Sequence, residues 1–336
     1  MKSVSITIPC RNEQQYIGKC LQSIVDCNFD KSLLSVFVCD GLSDDETPLI
    51  VSEFAAKYGF IKLIQNKKQT TPFALNLGLK ANNADIKIIL GAHAEIYPDY
   101  IDNCIVAFGF DVNIGCVGGV IENVYENETA EVIGKAMSSG FGVGNAHFRT
   151  GAMDGYVDTV AFGAYKNEVF EKIGYFDEEL IRNQDDEFNF RLLKNGFKIY
   201  LYRPIQSKYY VRASFKKLYK QYYQYGYWKV YVNKKHQTIT TLRQIVPLLF
   251  VLYLLGGAIL SLLHPLLFLL YISVLILYFL AGIYSATKQA EKLKPIFSIV
   301  KSFFILHFSY GLGYLIGIID FFLLKKSIKK QENLTR

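Results

Sequence analysis

The sequence predicts an α/β domain with a mostly parallel sheet, followed by apolar helices of membrane-spanning length. Three observations carry this expectation. Short β-branched runs alternate with stretches of helical spacing through the first part of the chain. Several of those runs are apolar throughout, as strands covered on both faces are. After about Lys235 the apolar residues, 51% of a 336-residue chain, condense into blocks such as Ile245–Leu263 and Pro265–Tyr284.

Taken in order, Val4–Pro9 is β-branched and alternating, a first strand, and a helix follows over Glu13–Val25. Leu34–Cys39 is a second strand that ends at Asp40-Gly41. Thr47–Tyr58 has helical spacing, Ile61–Gln65 is a short third strand, Pro72–Ala81 is helical, and Ile86–Leu90 is a fourth strand. Val117–Asn123 and Val157–Tyr165 read as later strands, with Gly118, Gly119 and Gly163 permitting close backbone approach. A helix opens at Asn183–Glu187 and runs to about Asn195, where Gly196 stops it; Lys198–Leu201 is a further strand. In parallel sheets ligands bind at the carboxyl ends of the strands. The polar sequences Cys10–Glu13, Asp40–Asp45 and His93–Glu95 are therefore expected to meet at one site.

The organisation expected is a cytoplasmic domain over residues 1–235, including an interfacial aromatic segment over about 205–235, and a membrane region over 240–326. The spans fall near 245–263, 265–284 and 297–324. The Met1-Lys2 start runs directly into a strand, so no secretory signal is expected and the soluble domain stays in the cytoplasm. Lys288, Lys292 and Lys294 then follow two spans on the cytoplasmic side, as the positive-inside rule requires. A third full span puts Lys325, Lys326, Lys329 and Lys330 outside, so either the last segment stops short or the count differs. The net charge of +7 suits an anionic lipid surface or an anionic substrate. Nucleic acid is not expected as a partner, because no predicted helix carries a concentrated basic face. The six cysteines form no C-x-x-C pair and are read as reduced, mostly buried thiols.

The motifs add chemistry. I-P-C-R-N-E (Ile8–Glu13) and C-D-G-L-S-D-D-E-T (Cys39–Thr47), then R-N-Q-D-D-E-F-N-F-R-L (Arg182–Leu192), resemble family 2 glycosyltransferases in order and spacing. V-D-T-V-A-F-G-A-Y (Val157–Tyr165), the A-H-A element at Ala92–Ala94 and the Q-Y-G-x-W pattern before the membrane resemble its succinoglycan/exopolysaccharide-type branch. The resemblance covers residues 3–235. It implies a GT-A fold and a nucleotide diphosphate-sugar donor, with uridine as the base. It also implies inversion at the anomeric carbon and, from the anchored architecture, a lipid-linked glycan acceptor. A processive polysaccharide synthase and a catalytically decayed nucleotide-binding scaffold are the competing readings, the latter permitted by Gly91 and Gln184.

The resemblance assigns roles. Asp40 accepts a hydrogen bond from the base; Glu13 is a second nucleotide contact, with Pro9 and Arg11 shaping its loop, and Asp44 completes the wall. Taken alone, Asp40-Gly41 is an ordinary turn and Asp44 a helix cap. Lys68 faces phosphate or is a solvated turn lysine, and Ala92 lies on the donor side. Where the family carries D-x-D to hold Mg²⁺ or Mn²⁺, this chain has Gly91 and His93. His93, with Glu95 nearby, is the candidate metal ligand, against a hydrogen-bonded core histidine. Asp185 is the candidate base that deprotonates the acceptor, with Gln184 in place of the usual Glu; as a bare pattern, Asp185, Asp186 and Glu187 also suit a helix N-terminus. Gly163 lies on the acceptor side, and Gln221 and Trp228 belong to a segment that closes over the donor in membrane-bound relatives or forms an interfacial aromatic belt.

Overall fold

The computed structural model describes residues 2–144, 146–151, 153–211, 213–290, 293 and 295–326. Lys292, Lys294, Lys329 and Lys330 lie outside the described residues. The chain forms two compact units, one from residues 1–124 with 147–210 and one from residues 125–146 with 211–336.

The first unit is built on β1 (Val4–Cys10), α1 (Ile17–Val25), β2 (Leu34–Asp40), α2 (Thr47–Lys57), β3 (Ile61–Gln65), α3 (Thr71–Leu79), β4 (Ile86–Ile89), β5 (Ala94–Ile96), α4 (Tyr100–Phe108) and β6 (Ile114–Val124). In the second unit lie α5 (Glu128–Met137) and α6 (Gly140–Val143). The first resumes with α7 (His147–Thr150), β7 (Gly155–Val157), β8 (Ala161–Lys166), α8 (Asn167–Ile173), α9 (Gln184–Lys194) and β9 (Lys198–Tyr210). One sheet runs β3-β2-β1-β4-β8-β6-β9-β5, with β7 on β9.

The expected parallel arrangement is realised over β3-β2-β1-β4, and beyond β4 the sheet is mixed. The parallel half reads as apolar because both its faces are covered. Val36 and Val38 join Ile17, Leu21 and Ile24 of α1 in one core, while Phe37 and Cys39 point the other way onto Ala74 of α3. Pro9 sits in a central strand without cost to the ladder, because β4 pairs with β1 only from Val4 to Thr7. The Val157–Tyr165 run divides into β7 and β8, which pair with different strands. β9 runs on to Tyr210 where only Lys198–Leu201 was expected. Its pairing with β6 breaks between Gly118 and Val120, and there a Cβ on Gly119 would fall 1.7 Å from the Ile205 carbonyl oxygen.

The second unit also holds α10 (Phe215–His236), α11 (Val246–Ser261), α12 (Pro265–Thr287) and α13 (Ile296–Ile318, continued by a π-helical turn). Among the described residues three helical stretches are long and apolar enough to cross a membrane: Leu242–Ser261, Pro265–Thr287 and Ile296–Leu323. Leucines such as Leu266, Leu269, Leu277 and Leu280 are exposed, as residues meant for lipid are. The aromatic segment lies in this unit, where α10 packs backbone to backbone on α13. A Cβ on Gly226 would lie 2.0 Å from the Tyr310 carbonyl oxygen, and one on Gly313 2.0 Å from that of Tyr223. Lys326, beyond α13, is ion-paired with Asp320 at 2.6 Å.

Candidate active site

The loops after β1 and β2 are zipped by reciprocal side-chain to backbone hydrogen bonds. The Asn12 amide donates to Ser43 Oγ (2.8 Å) and the Asp44 amide donates back to Asn12 Oδ1 (3.1 Å). The Glu13 amide donates to Thr47 Oγ1 (2.8 Å), and Gln14 exchanges bonds with Asp45 and Glu46. Asn12 takes a left-handed φ of 55°, which asparagine tolerates. These interactions occupy Glu13–Tyr16, so α1 begins only at Ile17 rather than at Glu13.

Asp40, 3% exposed, lies opposite Cys10 at the carboxyl end of β2. Its carboxylate accepts from the Ser43 amide (3.0 Å), the Ser43 hydroxyl and the Cys10 thiol (3.8 Å). Burial, reinforced by the charge of Asp40, pushes the Cys10 thiol far above its ordinary range, so it remains a donor. All six cysteines are free and buried, as expected. Asp44 and Lys68 are exposed, and the Lys68 ammonium lies over the Phe73 ring at 5.8 Å. Arg11 lies across Gly41, with its buried Nε lacking a hydrogen-bond partner among the described residues. Ala92 is buried in the core of the unit.

His93 does meet this cluster: its Nδ1 is 3.6 Å from Glu13 Oε1, and its ring stands edge-on to Tyr209 at 5.2 Å. Glu95 does not. Ala94 pairs with Tyr209 and Glu95 with Lys208, so Glu95 projects from the other sheet face, where its carboxylate accepts from the Tyr210 hydroxyl. Gly91 leaves no carboxylate, and the space beside it is taken: a Cβ there would lie 2.9 Å from Cε1 of Phe162. Phe162 itself holds a left-handed φ of 47°, with its carbonyl accepting from Tyr100. Among the described residues no three His, Cys, Asp or Glu side chains come together as a metal set. Of the expected ligand pair, His93 is an imidazole beside Glu13 and Glu95 is bonded to Tyr210, and without a carboxylate at position 91 these residues do not fit a D-x-D-type metal site.

Asp185 is exposed in the first turn of α9. Next to it, Gln184 Oε1 is buried without a hydrogen-bond partner among the described residues. Behind that turn Glu187, 1% exposed, is held by Arg191 at 2.7 Å, and Arg191 also donates to the Ile173 and Tyr175 carbonyls. Tyr165 donates to Asn189 Oδ1 (3.3 Å), with burial raising its pKa and Asp185 contributing. The loop before α9 is tied to α3 by Asn76, which bonds both ways with Phe176 and also donates to Glu178. A Cβ on Gly163 would lie 3.0 Å from Cys116 and Tyr165, so packing demands that glycine. Gln221 and Trp228 lie on α10 in the second unit. Gln221 donates to the Tyr225 hydroxyl, and Trp228 is fully buried among Tyr227, Tyr231 and Phe321.

Sequence reasoning missed Arg149, Phe162 and Tyr209. The Arg149 guanidinium lies 5.6 Å from the Tyr209 ring centroid, and Phe162 is 6.4 Å from that ring. Phe162 lies inside the Val157–Tyr165 motif but was given no role there, and no local pattern marks Arg149 and Tyr209, which come from α7 and β9.

Residues 5–174 match the family described as Glycosyl transferase family 2. A dolichyl N-acetyl-α-D-glucosaminyl phosphate 3-β-D-2,3-diacetamido-2,3-dideoxy-β-D-glucuronosyltransferase of Methanococcus voltae is 35% identical over 234 residues, covering 67% of this chain and 72% of the relative. The succinoglycan biosynthesis protein ExoA of Rhizobium meliloti is 28% identical over 248 residues, 72% of this chain and 74% of the relative. Among solved structures, the mannosyltransferase PcManGT of Pyrobaculum calidifontis, in complex with GDP-Man and Mn²⁺, superimposes with a TM-score of 0.58 at 16% identity, over 97% of this chain and 88% of that one.

Proposed function

The chain belongs to glycosyl transferase family 2 and is a glycosyltransferase; from that premise we propose that it moves a sugar from a nucleotide diphosphate donor to a lipid-linked glycan acceptor, with inversion. One observation carries the donor reading. Asp40, buried and fixed by Ser43, stands at a strand end beside the Glu13–His93 pair, inside the family-matched stretch. A carboxylate so placed accepts an N–H from a base ring, and uracil is the base proposed. Glu13, with its loop shaped by Pro9 and Arg11, supplies a second contact, and Asp44 and Lys68 are proposed as further donor contacts.

Asp185 is the proposed base. Its carboxylate takes the proton of the acceptor hydroxyl as that oxygen attacks the anomeric carbon opposite the leaving diphosphate. Gln184 beside it is neutral, so the carboxylate lacks the anionic neighbour that raises basicity in the family pattern.

The lipid-linked acceptor is supported by three helices of spanning length and by the dolichyl phosphate-linked substrate in the name of the Methanococcus voltae relative. The first unit is proposed to face the cytoplasm, on the same side as Lys288 after the second span. The test is release of nucleoside diphosphate by the detergent-purified protein, offered UDP- and GDP-sugars with a polyprenyl-phosphate-linked saccharide. Release from one donor that Asp185→Asn abolishes, with donor affinity kept, supports the assignment. Full turnover by that variant removes Asp185 from it.

A further inference from the structure

The proposed donor brings a diphosphate into a wall that already holds Asp40 and Glu13. The His93–Glu13 pair adds no net positive charge, whichever state the imidazole takes. Phe162 fills the space a carboxylate at position 91 needs, and Glu95 points away on the other sheet face. Of the fixed cations about this wall, Lys68 is exposed over the Phe73 ring and Arg11 lies across Gly41.

Arg149 is another. Its guanidinium and the His93 ring both pack about Tyr209, with carbon-to-centroid and centroid-to-centroid distances of 5.6 and 5.2 Å. Tyr209 is in turn paired with Ala94, the neighbour of His93, and with Asn123 of β6. Arg149 Nη1 is buried and has no hydrogen-bond partner among the described residues. A guanidinium does not shed its proton, so a buried N–H without an acceptor destabilises the unliganded protein. An arriving phosphate oxygen removes that penalty, and the planar fork suits two oxygens at once.

Resting on the donor reading above, we infer that Arg149 binds the donor diphosphate and holds the charge that develops on it, in the role a D-x-D-bound metal takes elsewhere. In the transfer step the bond from the anomeric carbon to the β-phosphate oxygen breaks, and both electrons leave with that oxygen. The acceptor oxygen forms the new bond, and its proton goes to Asp185. The departing nucleoside diphosphate gains one negative charge, which the guanidinium meets without reorganising.

The experiment is calorimetry on the purified full-length protein in EDTA, with UDP and GDP each beside its nucleoside. Wild-type protein is expected to bind the diphosphate of its cognate base more tightly than the nucleoside. Arg149→Gln is expected to lose about 10- to 100-fold in diphosphate affinity, the range of a charged hydrogen bond, with nucleoside affinity unchanged as the control for folding. Arg149→Lys should recover part of the loss. Undiminished diphosphate affinity in Arg149→Gln overturns the inference, and so does a wild-type preference for the diphosphate that disappears in EDTA. If Asp40→Asn alone weakens nucleoside binding while Arg149→Gln changes nothing, the donor reading stands and this one falls. Failure of wild type to bind any of the four compounds removes both.

Discussion

Restoring the missing carboxylate with Gly91→Asp tests how Phe162 came to share this site. The new Cβ arrives 2.9 Å from Phe162 Cε1, well inside contact distance, before the carboxylate is added. Overpacking of this kind costs about 1–3 kcal/mol. For a unit of this size that corresponds to a fall in Tm of roughly 2–12 °C. Phe162→Gly should cost less than the ~3–5 kcal/mol of emptying a core phenylalanine site, for two reasons. The ring is only partly buried, and glycine relieves the left-handed φ of 47°. The double variant should then melt above the sum of the singles, with a favourable coupling of about 0.5–3 kcal/mol. A thiol-reactive fluorophore makes the melt specific, because all six cysteines are buried in the first unit. Manganese should stabilise the double variant and not the wild type, since only the former adds a carboxylate to His93 and Glu13. A Gly91→Asp melt equal to wild type, or strict additivity, refutes the account of why glycine occupies position 91.

Two further outcomes follow from the geometry. Gly313→Ala drives a methyl to 2.0 Å from the Tyr223 carbonyl oxygen, so α10 must lift from α13. The second unit should lose about 1–3 kcal/mol or more, read from the emission of the chain's one tryptophan, the buried Trp228; an unchanged transition would contradict the packing. Asp85 accepts from the Ser3 hydroxyl and amide (2.7 and 2.8 Å), which hold its carboxyl below the usual range. Its stabilising contribution is therefore present above the unfolded pKa of about 3.9 and disappears as pH falls through the lowered folded value. Asp85→Asn should flatten the acid limb of a melting-temperature profile, and parallel profiles would show the bond to be idle.

The parallel half of the fold was legible because each strand there ends in residues that punctuate: Pro9, Asp40-Gly41, Leu90-Gly91. The Asp40 and Glu13 loops were legible for the same reason, being short, contiguous and polar. α4 was legible and missed, since Tyr100, Ile101, Cys104, Ala107 and Phe108 fall on one helical face. β5 has three residues, too few for a period. β9 was legible only over Lys198–Leu201; past Leu201 the structure breaks register and resumes pairing at Gln206. Lys87 interrupts an apolar strand, yet it is fully buried with its ammonium 2.6 Å from the Leu79 carbonyl oxygen, a partner no local pattern announces. The cage of Phe162, Tyr209 and Arg149 draws on three elements distant in sequence, so only the sheet order reveals it. The packing partner of the aromatic α10 was not legible, because its glycine seam fits a helix that the chain supplies much later.

That seam has a consequence for how the chain is made. α10 leaves the ribosome before α11 and α12, yet the backbone surface it fits is presented by α13, which emerges last. At synthesis rates of about 5–20 residues per second, its Gly226 face waits on the order of several seconds for its partner. Truncation before α13 would leave that face, with its tyrosines and buried tryptophan, uncovered. Emergence of α13 is thus the event that covers α10 in the second unit, and a ribosome stalled ahead of it yields a nascent chain whose aromatic helix is open to chaperones and proteases.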